Sequence, residues 1–275
     1  MWIWDSRTHQ FIVSEALKKC KSSFTNLLEL HQGMFILGIE APDRIFKDFT
    51  NHYYNCTPNR YGVNPGSVIK KIDKEIKLIN SMLNEPEKII VHHNIAPFLK
   101  SLLDTSLKAF IFELGVLSHY IVDLHQPLHT DGKERFTDEE TVHKILEADT
   151  RLHLNDFNIH MRRRKRIKNP LSYFEERIYE INEYYDAIIE RYFLRKGKVK
   201  PDRWENTFFI VEECLTKATQ NVANVFLSFE DASKILKLQV HHARMLKKIR
   251  GSIRKKKYYK IIKYPSGTVS VRVKK

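Results

Sequence analysis

The chain is poor in the residues that break or staple a fold. Its 275 residues include nine glycines, nine prolines and three cysteines. With so few breakers and few segments of alternating polarity, a sheet-built fold is excluded and a helical one is expected. Cys20, Cys56 and Cys214 are odd in number, widely spaced and form no CxxC pair. That excludes a disulfide framework and suggests thiols in a reducing compartment. Long apolar runs are missing as well: a spanning helix needs about 18 such residues. The longest candidate, around Phe110 to Leu117, is interrupted by Glu113. The opening Met1-Trp2-Ile3-Trp4-Asp5 has neither a basic stretch nor an apolar core behind it, so no secretory signal is expected. The resulting expectation is a cytoplasmic protein, peripheral at a membrane at most.

Acidic residues are absent from the last 40 positions. Leu236 to Lys275 carries 14 Lys/Arg and no Asp or Glu. Removing those 14 from the total of 47 leaves 33 basic residues against 33 acidic ones in residues 1–235. The formal charge of +14 therefore belongs to a basic tail on a neutral body. A hydrophobic content of 42% rules out a disordered chain. A body of this length can bury a core without staples.

What is present reads as helices near 6–20, 24–37, 67–84, 94–104, 106–124, 138–154, 171–194 and 204–230. Turn residues gather in 40–66, with further loops at 126–137, 160–170 and 195–203. The basic run 162–168 is read as a solvated loop. Two units follow: a helical domain over 1–235 and a basic tail over 236–275. Within the tail, 234–250 sets Ile235, Leu238, Met245 and Ile249 near one helical stripe. Residues 258–273 alternate on both sides of Pro265-Ser266-Gly267, as a hairpin would.

Chemistry concentrates in the segment from His119 to His129. His119 and Asp123 are four residues apart and share a helix face. Their helix is apolar nearly all round, which places it in the centre of a bundle. A carboxylate buried there needs a cation or several donors to compensate it. Gly115 leaves room one turn before His119, and Pro127 disfavours helix at Gln126, so His129 can fold back over the helix end. His143 and Glu147 repeat the four-residue spacing, fourteen residues after His129. His9 points inward on the stripe of Ile12, Val13, Ala16 and Cys20. Asp43 and His52 lie in the 40–66 loop. Each alone has an ordinary reading: core hydrogen bonds for His9 and His119/Asp123, a surface pair for His143/Glu147, a turn for Asp43. Together they supply imidazole and carboxylate ligands suited to zinc.

This ordered set resembles the zinc-dependent phospholipase C family and the related P1/S1-type nucleases. The shared order reads Trp4, His9, Asp43, His52, His119, Asp123, His129, His143, Glu147. Thr8-His9-Gln10-Phe11-Ile12-Val13 is also similar to the start of clostridial phospholipases. The resemblance covers about residues 4 to 230 and implies an all-α multi-helix bundle with several zinc ions. It implies one zinc on Asp43, His52, His119 and Asp123, and a second on His129, His143 and Glu147. A third would take His9, Asp123 as a bridge and a free amino group at Trp4, so two or three ions are expected.

The resemblance implies hydrolysis of a phosphodiester by metal-activated water; Asp43 is a candidate general base as well as a ligand, with a pure ligand role as the alternative. The gap from His129 to His143 and the final His-x3-Glu match the phospholipase branch. His125-Gln126-Pro127-Leu128-His129 is close to the nuclease wording, with His125 itself read as supporting. The alternatives are a single-strand nuclease and a zinc-stabilised binding protein without turnover. Tyr53 and Tyr54 are candidates to line a substrate pocket. The basic tail suits an anionic membrane surface or nucleic-acid phosphates.

Overall fold

The computed structural model describes residues 6–90, 97–131, 139–194, 198–255, 259–263 and 269–273. It is an all-α bundle built from eleven described helices, with two short antiparallel ribbons. Trp4 lies outside the described residues.

Helix α1, Ser6–Leu17, buries His9, Ile12, Val13 and Ala16 on the stripe read from the sequence. The single helix expected near 24–37 is two, α2 at Ser22–Leu30 and α3 at Gln32–Ala41. His31 separates them, with φ −116° and ψ 27°. Pro42 has no N–H with which to extend the α3 hydrogen-bond ladder. A wide π-type turn over Pro42–Phe46 follows, closed by the Lys47 amide donating to the Pro42 carbonyl at 2.8 Å. Lys47 takes positive φ, 52°, to make that closure. Short π segments often re-aim a functional side chain, and this one carries Asp43.

α4, Val68–Asn84, buries Val68, Ile69, Ile72, Ile79, Met82 and Leu83. After α5, Pro97–Leu102, comes the central helix α6, Ser106–Leu124. Thr105 caps α6 by accepting from the Lys108 amide. All of its residues except Lys108 are buried. It packs against α3 and α4 and touches α1. α7 is Glu139–Leu152 and α8 is Pro170–Asn182. The helix expected to run to 194 breaks after Asn182, whose side-chain amide turns to the Thr130 hydroxyl at 2.9 Å. α9, Tyr185–Tyr192, leads through a two-stranded ribbon, β1 Phe193–Leu194 and β2 Lys198–Val199, to α10, Arg203–Phe226.

α11 runs Ala232–Lys255, longer than the stripe at 234–250 suggests. Its start is part of the core: Leu238 is fully buried and Ile235 nearly so. Of the expected hairpin the two strands pair, Tyr259–Lys263 (β3) antiparallel to Val269–Val273 (β4) with Ile261 opposite Val271, and Pro265-Ser266-Gly267 lie outside the described residues. The basic run 162–168 is extended along α10, where Gln220 and Asn224 side chains accept from the Arg162 and Lys165 amides at 2.7 and 2.9 Å. Arg162, Arg163, Lys165, Arg166 and Lys168 are exposed as expected. Arg164 is the exception and pairs with buried Glu230. All three cysteines are free thiols. No described helix is long and apolar enough to cross a membrane.

Candidate metal centre

The centre depends on how closely α3 and α6 approach. A Cβ on Gly38 would sit 2.0 Å from the Phe112 carbonyl oxygen, and one on Gly115 would sit 2.3 Å from that of Phe35. Only glycine at both positions allows this crossing. Gly115, read from the sequence as space beside His119, is thus the means by which two backbones meet. The approach brings the Ile39 carbonyl to within 2.8 Å of His119 Nδ1. A carbonyl only accepts, so Nδ1 carries a proton and Nε2 is the atom turned toward the carboxylates.

Asp123, one turn along α6 and fully buried, is the meeting point. Its Oδ1 is 3.2 Å from His9 Nε2, delivered by α1. Its Oδ2 is 2.6 Å from His52 Nδ1 and 3.0 Å from His119 Nε2. The side chains gather into two overlapping groups, His9 with His119 and Asp123, and Asp43 with His52 and His119. The π turn after α3 sets Asp43 Oδ1 at 3.4 Å from His119 Nε2 and 3.6 Å from His52 Nδ1. His9 and His119 stack with centroids 4.3 Å apart.

A third group adjoins these. Pro127–His129 forms a single 3-10 turn after α6, and His129 Nδ1 donates to the Asp123 carbonyl at 3.1 Å. That leaves Nε2 as the ligand atom. The His143 ring lies 5.0 Å from the His129 ring, and His143 Nε2 is 3.0 Å from Glu147 Oε1. Eight of the nine residues singled out by the sequence thus fall into one contiguous cluster, and the ninth is Trp4.

Burial opposes a charge on His119, but Asp123 and Asp43 outweigh it and raise its pKa to about 10. Burial works against the Asp123 carboxylate too; His119, His52 and His9 overcome this and hold it well below the usual range. Asp123 therefore demands positive charge beside it. Burial lowers His129 and His143 to about 3, which keeps both rings in the neutral form that ligates metals. Asp43 Oδ1 and His129 Nε2 are buried with no hydrogen-bond partner among the described residues. Such orphaned atoms cost roughly 1–3 kcal/mol each. A zinc ion, which takes imidazole nitrogen and carboxylate oxygen, would satisfy both. The donor set therefore fits zinc.

Asp48 is the member that sequence reasoning missed. His52 Nε2 lies 3.3 Å from its Oδ1, while the Tyr120 hydroxyl and Asn51 Nδ2 donate to its Oδ2 at 2.8 and 2.7 Å. Burial pushes the Asp48 pKa up, and those bonds pull it below its ordinary value. Its signal was a third four-residue His/carboxylate spacing, in a segment read as loop.

His125 is structural. Its Nδ1 donates to Ile121 O at 2.7 Å, Asn221 Nδ2 donates to its Nε2 at 2.7 Å, and burial lowers it to about 4. Tyr53 and Tyr54 are half buried in the irregular segment after His52. The Tyr53 ring lies against Gly66, and Tyr54 engages Tyr179 of α8.

Residues 8–199 match the family described as zinc dependent phospholipase C. Among solved structures, the Clostridium perfringens alpha-toxin from avian strain SWCP superposes with a TM-score of 0.55 at 14% identity, over 82% of this chain and 64% of that one. The chain thus spans less than two thirds of that toxin. The alpha toxin from Clostridium absonum gives 0.49 at 16% identity, over 84% and 67% of the two chains. No curated protein matches the sequence. The toxin likeness is one of fold, while the family match takes in every clustered ligand from His9 to Glu147 and well over half of the 275 residues. The chain belongs to the zinc dependent phospholipase C family.

Proposed function

We propose that the protein is a zinc-dependent phosphodiester hydrolase of phospholipase C type, acting on a phospholipid or a related small phosphodiester. The observation that carries this reading is the Asp123 carboxylate, each oxygen facing a different set of imidazoles. A bridging carboxylate of this kind suits adjacent cations and has no evident structural use. Asp43, His52, His119 and Asp123 would hold one zinc, His129, His143 and Glu147 a second, and His9 with Asp123 part of a third. When bound, zinc polarises phosphate oxygens and makes water a better nucleophile.

The protein's own groups do the rest. The Asp43 carboxylate, close to both His52 and His119, would take the proton from the attacking water at an oxygen. The Ile39 carbonyl fixes the His119 ring and Asp48 fixes His52, so the ligands stay aimed while charge develops. The apolar length of α6 beneath the cluster excludes water and strengthens each electrostatic contact. Tyr53 and Tyr54, in the segment leaving His52, would contact the substrate's head group. The basic tail would add attraction to any anionic surface. The family argues against the single-strand nuclease and the turnover-free alternatives.

The test is a parallel assay, with zinc added, on phosphatidylcholine, an anionic phospholipid, single-stranded DNA and RNA, and a soluble aryl phosphodiester. Release of a phosphorylated head group is expected. Release of nucleotides alone would overturn the phospholipase reading. Asp123→Asn should lower turnover by at least a hundredfold, about 2.7 kcal/mol of transition-state stabilisation. Substantial turnover in that variant would refute the site.

A further inference from the structure

The loop that follows His52 carries exposed apolar and basic side chains together. Residues 54–66 fold back on themselves: Tyr54 bridges Gly66, and the Asn55 amide donates to Pro65 O at 2.8 Å. The loop's base is pinned beside the centre, because the Tyr54 and Cys56 amides donate to the His129 and Thr130 carbonyls at 3.0 and 2.8 Å. One metal-ligand candidate precedes the loop and another holds its base. The tip is equally constrained. Asn59 Oδ1 accepts from the Tyr61 and Val63 amides at 2.9 and 3.1 Å, the Asn59 amide donates to Val63 O at 2.8 Å, and Gly62 takes φ +73°.

This fixed tip holds apolar side chains out in solvent. Tyr61 is 73% exposed and Val63 57%, with Phe49 of the same segment at 52%. The Arg60 guanidinium lies 4.7 Å from the Tyr61 ring centroid. Every exposed charge from 44 to 70 is positive: Arg44, Lys47, Arg60 and Lys70. Of the acidic residues nearby, Asp43 and Asp48 turn inward to the histidines, and Glu40 pairs with Arg44 at 2.7 Å.

We infer that this surface, with Tyr61 and Val63 at its tip, seats the metal centre on an anionic phospholipid surface. The choice of a lipid occupant rests on the phospholipase reading. A tyrosine ring belongs at the boundary between head groups and acyl chains, a guanidinium matches a lipid phosphate, and flanking lysines suit an anionic leaflet. A folded protein partner would need roughly 800 Å² of complementary surface, far more than a turn of this size offers. Docked this way, the enzyme brings its ligand cluster to the interface with the loop as the contact.

The experiment is flotation of the full-length protein with vesicles of phosphatidylcholine mixed with phosphatidylserine, and with vesicles of phosphatidylcholine alone. Tighter binding to the mixed vesicles is expected. Tyr61→Ser combined with Val63→Ser should weaken that binding at least tenfold, equivalent to about 1.4 kcal/mol. Arg60→Glu should reduce the preference for the anionic vesicles. In a Tyr61→Trp variant, tryptophan emission should shift further to the blue on adding mixed vesicles than the wild type's three tryptophans do, and that difference reports on the tip independently of the basic tail. Hydrolysis of the soluble aryl phosphodiester should be the same in the tip variants as in the wild type. Equal vesicle binding by wild type and tip variants, or no emission shift beyond that of the wild type, would overturn the inference while leaving soluble turnover to stand for the hydrolase. Absence of soluble turnover in the wild type with tip-dependent vesicle binding would remove the hydrolase reading and support the surface.

Discussion

A carboxylate with no access to water, Asp123, is bound on one side by His9 and on the other by His52 and His119. Neither its charge nor its position is tolerable in an apolar bundle without a compensating cation. This was readable from the sequence, since an acidic side chain on an otherwise apolar helix calls for a partner. The support of its ligands was not. Asp48 reaches His52 only because the π turn and the short helical turn after it curl the segment back, and Tyr120 reaches Asp48 from another helix. Removing such a supporting carboxylate typically costs ten- to a hundredfold in metal affinity. Asp48→Asn should therefore lower zinc affinity by about that factor while the fold persists. Competition with a chelator gives the affinity, and nitrogen NMR of His52 gives the proton's position on its ring. Wild-type affinity with an unchanged His52 tautomer would show that Asp48 has no such role.

Among the elements, α6 was legible from end to end because its apolar length and Pro127 agree. Breaks that depend on tertiary partners were not. His31 divides an apolar run that has full helical periodicity, and its ring meets His242 of α11 edge-on at 5.9 Å. Asn182 ends α8 where its amide finds Thr130. The crossing of α3 on α6 was half legible: Gly115 stood out, but its pairing with Gly38 is a property of two packed backbones. A methyl group at either position must force them apart. Gly115→Ala should destabilise the protein by about 1–3 kcal/mol or more, as overpacking does. It should also draw Ile39 away from His119 and weaken zinc binding. Thermal unfolding with and without zinc checks both effects, and an unchanged melting temperature would contradict the crossing as described.

For the whole molecule, the charge is divided between a neutral body and a basic tail whose first helix joins the core through Ile235 and Leu238. The buried histidines give the body a pH dependence of defined sign. Burial lowers His125 to about 4, and His129 and His143 to about 3. Between their ordinary 6.5 and those values, the unfolded chain binds protons that the folded chain refuses, so stability is lost as pH falls. His119 has the opposite sign. Its stabilisation is complete below 6.5 and is lost as pH rises through about 10. The zinc-free protein should thus lose up to about 1.4 kcal/mol per pH unit for each of the three lowered histidines on acidification below their ordinary range. Urea unfolding of chelator-treated protein at about pH 7 and about pH 5 measures this, and equal midpoints would contradict the neutral, buried state of these rings.

The central claim is that the His/carboxylate cluster around Asp123 is a zinc centre. Diffraction from zinc-loaded crystals, recorded on either side of the zinc absorption edge, tests it most directly. The account predicts anomalous density among Asp43, His52, His119 and Asp123, and again among His129, His143 and Glu147, with the first lost or reduced in Asp123→Asn. Featureless density at both places in the loaded protein, or zinc bound only elsewhere, would contradict it.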